Sequence, residues 1–115
     1  MYRYSYAEIL DESASLNRER ERLALDRAVV LLVEAQAAGA GSREMLGAAA
    51  YAQKLWSFLI ADLADAHNEL PKDLRVSLAS IGLWVLQETD KLIAGTGGDV
   101  PALIDVNRAI RDGLK

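Results

Sequence analysis

Residues 43–63 read REMLGAAAYAQKLWSFLIADL, and the apolar positions Met45, Ala49, Ala52, Trp56, Leu59 and Leu63 recur at steps of four, three, four, three and four. That spacing tracks the α-helical period, so all six side chains share one face of a helix of about five turns. Ser42 precedes the stretch as a suitable N-cap, and Glu44 suits the positive end of the helix dipole. Met45 occupies the place where a capping box would carry an acid. The alanines at the start of the seam allow a close neighbour, while Trp56 and Leu59 demand space further along.

Breaker residues divide the remainder into similar segments. Ser5 can cap a short first helix to about Ala14, with Tyr6, Ile9, Leu10 and Ala14 on one side. A second helix starts near Leu16 or Asn17 and runs to about Ala38, before Gly39-Ala40-Gly41. Its opening, Arg18-Glu19-Arg20-Glu21-Arg22, alternates in charge and reads as a solvated face laced by ion pairs. The following Ala28-Val29-Val30-Leu31-Leu32-Val33 is apolar almost all round and should be buried on more than one side. Beyond a polar joint, Pro71 fits the first position of a fourth helix. That helix has a seam of Leu74, Leu78, Ile81, Val85 and Leu92, widened by Val76, Leu83 and Leu86, which reads as a central helix. Gly82 inside it implies a tight backbone contact or a ligand approach, and packing is the preferred reading. Gly95-Thr96-Gly97-Gly98 ends it. Asp99 can cap a last helix with Pro101 in its first turn, an apolar edge of Leu103, Val106, Ile110 and Leu114, and Gly113 as a C-terminal stop. No stretch alternates as a strand would. The expected fold is all-α: one domain over residues 1–115, a small helical bundle of about four to five helices with short loops.

Composition agrees. Alanine and leucine supply 37 of 115 residues against 13 valines and isoleucines, a balance that favours helix. The absence of cysteine excludes disulfide scaffolds and thiolate chemistry, and the single histidine, His67, excludes the usual multi-histidine metal sets. A net charge of -4 makes avid nonspecific nucleic-acid binding unfavourable. The longest uncharged stretch in an apolar setting, Val76 to Gln87, has 12 residues, whereas a bilayer span needs roughly 20. The opening MYRYSYAEILDESAS carries Glu8, Asp11 and Glu12 where a secretory signal would be apolar. A cytoplasmic protein without a membrane span is expected.

Catalytic constellations are not apparent. Asp62 and Asp65 neighbour one another on a helix, but His67 faces elsewhere, which reads as a helix end in solvent. Gly95 to Gly98 lacks the preceding strand and the lysine-hydroxyl pair of a phosphate cradle. No serine stands in a nucleophile elbow and His67 has no nucleophile to activate. The expectation is a non-enzyme without cofactor or metal. A small acidic bundle with wide apolar faces suits a binding module that holds another helix in a groove.

Several elements occur together in order: Lys54-Leu55-Trp56 with Phe58 and Asp62; Leu70-Pro71 with Leu74-Arg75; Ile81-Gly82-Leu83-Trp84-Val85 with Thr89; and the run from Leu103 to Ile110 with Gly113-Leu114. This pattern resembles the FlaF family of flagellar biosynthesis regulators. One departure is Gln53, where the family pattern has asparagine before the basic-Leu-Trp element. The resemblance implies a positive factor for flagellin synthesis and export that binds flagellin before secretion and works opposite FlbT, a regulator acting on flagellin messenger RNA. A bundle with an apolar groove suits that role, since it can fold an amphipathic segment onto itself. The alternatives are a messenger-RNA-binding translational regulator and an adaptor acting through FlbT. Candidate partner-binding residues are Trp84, Trp56, Asn107, Arg108, Tyr4 and Tyr6. Either tryptophan can fill the core or anchor a partner, and Trp84, off the main seam of its helix, is the better interface candidate. Asn107 and Arg108 are placed on the polar side of the last helix, serving either internal pairing or a partner contact. Tyr2, Tyr4 and Tyr6 either pack onto the bundle or form a sticky arm. A second copy is a further possible partner, through the apolar stretches Val29–Val33 and Leu83–Leu86.

Overall fold

The structure, a computed structural model, describes residues 6–114, and the side chains of 17–114. Four helices follow one another: α1 (Tyr6–Ala38), α2 (Arg43–Ala64), α3 (Lys72–Ala94) and α4 (Val100–Gly113). There is no strand among the described residues, and the fold is a small all-α bundle. The expected break between a short first helix and a second one does not occur. α1 runs unbroken for 33 residues. No glycine or proline lies between Tyr6 and Ala38 to stop it. A break at Ser13 or Ser15 would leave backbone groups unpaired at two new ends, whereas a mid-helix serine costs only about half a kcal/mol relative to alanine. At about 1.5 Å per residue α1 is roughly 50 Å long, which accounts for the longest dimension of the fold, 54 Å. Tyr2 and Tyr4 lie outside the described residues. Tyr6 opens α1, and its side chain also lies outside them.

The remaining ends follow local chemistry. Ser42 caps α2 by accepting from the Met45 N–H at 3.1 Å, and Asp99 caps α4 by accepting from Ala102 N–H at 3.0 Å. Pro71 is itself the N-cap of α3, one residue before the expected place. Gly95 ends α3 in the left-handed conformation (φ 73), and the Thr96 N–H reaches back to the Lys91 carbonyl at 3.0 Å. That is the pairing glycine permits at a helix C-terminus. Gly113 is instead the last residue of α4 and keeps a negative φ, so it is not a left-handed stop. Side chains order the joint before α3: the His67 N–H donates to Asp65 Oδ1 at 2.7 Å and the Leu70 N–H to Asn68 Oδ1 at 3.0 Å. These are the Asx turns that such residues favour.

α2 packs against both α1 and α3, and α4 packs along α1, while α3 and α4 do not pack along one another. The core therefore lies where Leu25, Val29 and Leu32 of α1 meet Met45, Ala49 and Trp56 of α2, closed by Val85 and Leu92 from α3 and by Leu103 and Ile104 from α4. Ala48, Ala49 and Ala52 are fully buried, consistent with a close neighbour there. Gly82 marks a second close approach. A Cβ at that position would lie 2.7 Å from Ile60 Cγ1 and 3.1 Å from Trp56 Cε3, so its role is packing of α3 onto α2.

Two expectations about burial need correction. α3 is not enclosed: Val76 is 57% and Leu83 55% exposed on its outer face, because only α2 covers it along its length. In α1, Ala28, Val29 and Leu32 are buried between α2 and α4, but Val30 and Val33 face out. Two neighbours cover part of a helix surface, and the all-round apolar run exceeds it.

Candidate partner-binding groove

Because α3 packs on α2 while α4 packs on α1, an apolar groove opens between α3 and α4. Its upper part has a volume of about 370 Å³ and is lined by Ser80, Ile81 and Trp84 of α3 and by Ala102 and Val106 of α4. One turn further along each helix, Leu78 and Ile110 flank a second hollow of about 80 Å³. There, the buried Leu25 and Trp56 form the floor, Leu59 and Leu63 join from α2, and Leu70 and Leu114 stand at the mouth. The two hollows follow one another along the facing edges of α3 and α4, the first nearer the α3–α4 connection. Trp84 is half-buried, with its ring on the groove wall. It lies on the side of α3 turned away from α2, which is why it falls off that helix's main seam.

The connection that joins the groove walls is held by Glu88. Its carboxylate is nearly buried, accepts from the Asp99 N–H at 3.0 Å and pairs with Lys91 Nζ at 2.9 Å. The bond from Lys91 and, secondarily, the Asp99 N–H hold the Glu88 carboxyl below the usual carboxylate range, against the opposing effect of burial. Gly98 (φ +110) lies flat on Leu92: a Cβ there would come within 2.6 Å of Leu92 Cγ. No side chain fits, so the turn into α4 is tight.

The open end is acidic. Glu21 of α1 and Asp62 of α2 both line the lower hollow. Burial and, next, the Asp62 charge push the Glu21 carboxyl above its ordinary range, partly offset by Arg18. Among the described residues neither carboxylate has an ion-pair partner. The ion pairs of α1 form elsewhere. Arg22 bonds Glu19 through Nε at 3.2 Å, and Asp26 pairs with Arg111 of α4 at 3.0 Å.

The six candidate residues are not brought together. Trp84 lines the groove, Tyr4 and the Tyr6 side chain lie outside the described residues, and Arg108 is exposed. Arg108 stands two residues, about 200°, from Val106, so it points away from the groove wall. Trp56 and Asn107 are core residues, 1% and 0% exposed, and form no free surface. Asn107 is therefore not on the polar side of α4. It follows Leu103 and Ile104 on the buried face, accepts from Trp56 Nε1 at 2.8 Å and donates to the Leu103 carbonyl at 2.7 Å. This pair fastens α4 to α2 under the groove. Gln53 acts across helices: its amide donates to Asp90 of α3 and lies 3.4 Å from Thr89 Oγ1. Glu21 was missed as a groove residue because its alternating-charge neighbourhood reads as solvated. Phe58, by contrast, is 66% exposed on the other side of α2.

No three His, Asp or Glu residues come together as a metal-holding group among the described residues, and no helix there is long and apolar enough to cross a membrane. No curated protein and no solved structure is similar enough to the chain to match it. The family model described as flagellar protein FlaF does match, over residues 2–114, and with nearly the whole chain covered the protein belongs to the FlaF family of flagellar proteins.

Proposed function

We propose that this protein is a cytoplasmic flagellin-binding chaperone that promotes flagellin synthesis and export by holding an amphipathic flagellin helix in the α3–α4 groove. The observation that carries this reading is the groove itself, about 370 Å³ of space with Trp84 and Ile81 on one wall and Val106 on the other. Helix-in-groove recognition uses such a surface, an apolar channel that accepts side chains spaced at one helical turn. Binding of this kind needs no covalent step, so neither cofactor nor catalytic activity belongs to the proposal. Flagellar family membership supports a flagellar partner. The acidic charge, -4, and the pairing of Arg22 with Glu19 weigh against messenger RNA as the ligand.

Co-elution of purified protein with flagellin at micromolar concentration tests this, together with proteolytic protection of flagellin's terminal segments. Trp84→Ala should weaken binding by tenfold or more, since a half-buried aromatic on a groove wall suits a hot spot worth about 2 kcal/mol. Helicity should stay close to wild type and, because the ring also packs against the core, the melting temperature should fall by several degrees without unfolding the protein. No co-elution with both proteins folded would refute the reading. Co-elution with FlbT instead, unaffected by flagellin, would establish the adaptor role in its place.

A further inference from the structure

We infer that the groove is polarised, and that it takes an amphipathic helix whose apolar face is flanked, at the end lying over Glu21 and Asp62, by lysine or arginine. The inference rests on the groove reading above and specifies the chemistry of its occupant. Two observations carry it. The lower hollow is apolar on its floor and walls, with Leu25, Trp56, Leu78 and Ile110, yet its rim carries two carboxylates from different helices. Among the described residues no cation pairs with either one. Like charges at the edge of a low-dielectric hollow repel each other and lose hydration, and a cation placed between them relieves both effects. Burial first and the Asp62 charge second raise the Glu21 carboxyl in the free protein, and Arg18 offsets them only in part. The upper part of the groove has no such feature, as its lining is Ser80, Ile81, Trp84, Ala102 and Val106. The charge is therefore confined to one end, which fixes the direction in which a bound helix lies. A basic last turn also complements the negative end of the helix dipole, so the C-terminus of the occupant belongs at the acidic end.

The test uses full-length protein and two designed amphipathic peptides with identical leucine-alanine faces, one ending in a lysine turn and one in a glutamate turn. Affinity is read from tryptophan fluorescence, because Trp84 and Trp56 both border the groove. The lysine peptide should bind roughly tenfold more tightly than the glutamate peptide at low salt, and the ratio should shrink as salt rises. In Glu21→Gln/Asp62→Asn the ratio should fall toward one while the apolar contribution persists, and Asp62→Lys should favour the glutamate peptide. Circular dichroism of each variant separates loss of binding from loss of fold. Equal affinity of wild type for both peptides would overturn polarity while leaving the groove reading intact. No binding of either peptide, together with absence of flagellin binding, would overturn both. A dimer that dissociates as peptide binds would make a second copy the occupant and overturn the inference.

Discussion

Breaking the Trp56–Asn107 bond should cost far more than removing a surface contact. The indole N–H and the amide oxygen lie 2.8 Å apart with both residues almost fully buried, so neither can turn to water when its partner is lost. Asn107→Leu keeps the side-chain volume similar but orphans the indole N–H, which costs about 1–3 kcal/mol. Trp56→Phe orphans the amide oxygen at a similar cost and adds a cavity where the indole was. The double variant removes both polar groups together, so it should be about 1–2 kcal/mol more stable than the sum of the single effects predicts. For a domain of this size each kcal/mol shifts the melting temperature by roughly 4 °C, so Asn107→Leu alone should lower it by about 8 °C. Urea titrations of all four proteins followed by far-UV circular dichroism close the cycle. Single effects that add to within about 0.3–0.5 kcal/mol would refute the coupling, and with it the claim that this bond fastens α4 to α2.

The other packing sites give further expectations. Gly82→Ala gains about 0.5–1 kcal/mol of helix propensity but must displace Ile60 and press on Trp56, costing about 1–3 kcal/mol, so a net loss near 1 kcal/mol is expected in the same titrations. Gly98→Ala should cost about 1–3 kcal/mol, because its left-handed φ and its contact with Leu92 both exclude a Cβ. At Gly41 (φ +74) no atom lies within 4 Å of the added methyl, and the loss should be smaller. Glu88 has a lowered carboxyl pKa in the folded protein. Its stabilising contribution is therefore complete above the unfolded value of about 4.3 and disappears as pH falls through the lower folded value. The stability difference between wild type and Glu88→Gln should accordingly stay constant near neutrality and shrink on acidification. A difference that grew toward low pH would reverse the assignment.

The readable parts of this sequence were those decided locally. The seam from Met45 to Leu63 and the caps Ser42 and Asp99 depend on residues a turn or two apart, and the helices begin where those residues indicate. The uninterrupted α1 was harder, because serine serves both as a cap and as a tolerable helix residue, and only the continuation of the chain decides between them. Asn107 was unreadable for a different reason. A polar side chain on an apolar face can be buried only with a partner, and that partner, Trp56, is 51 residues away. The exposure of Leu83 and Val76 likewise depends on which helices cover α3 rather than on α3 itself.

The groove is a consequence of those same long-range choices. α3 and α4 are joined by a short turn that Gly98 and Glu88 hold tightly, yet each lies along a different partner helix. Two helices joined at one end and drawn onto separate supports leave a channel between them. The Trp56–Asn107 bond beneath that channel ties one support to one wall, so the floor is fixed from both sides. Trp56→Phe/Asn107→Leu would keep most of the apolar burial but remove its directionality, allowing α4 to slide toward α3 and close the channel. Stability lowered by the cavity of Trp56→Phe but not by an orphaned polar group, with weakened capture of a helical partner, is therefore the expected phenotype of the double variant. If it bound such a partner as well as wild type does, the polar pair would serve stability alone.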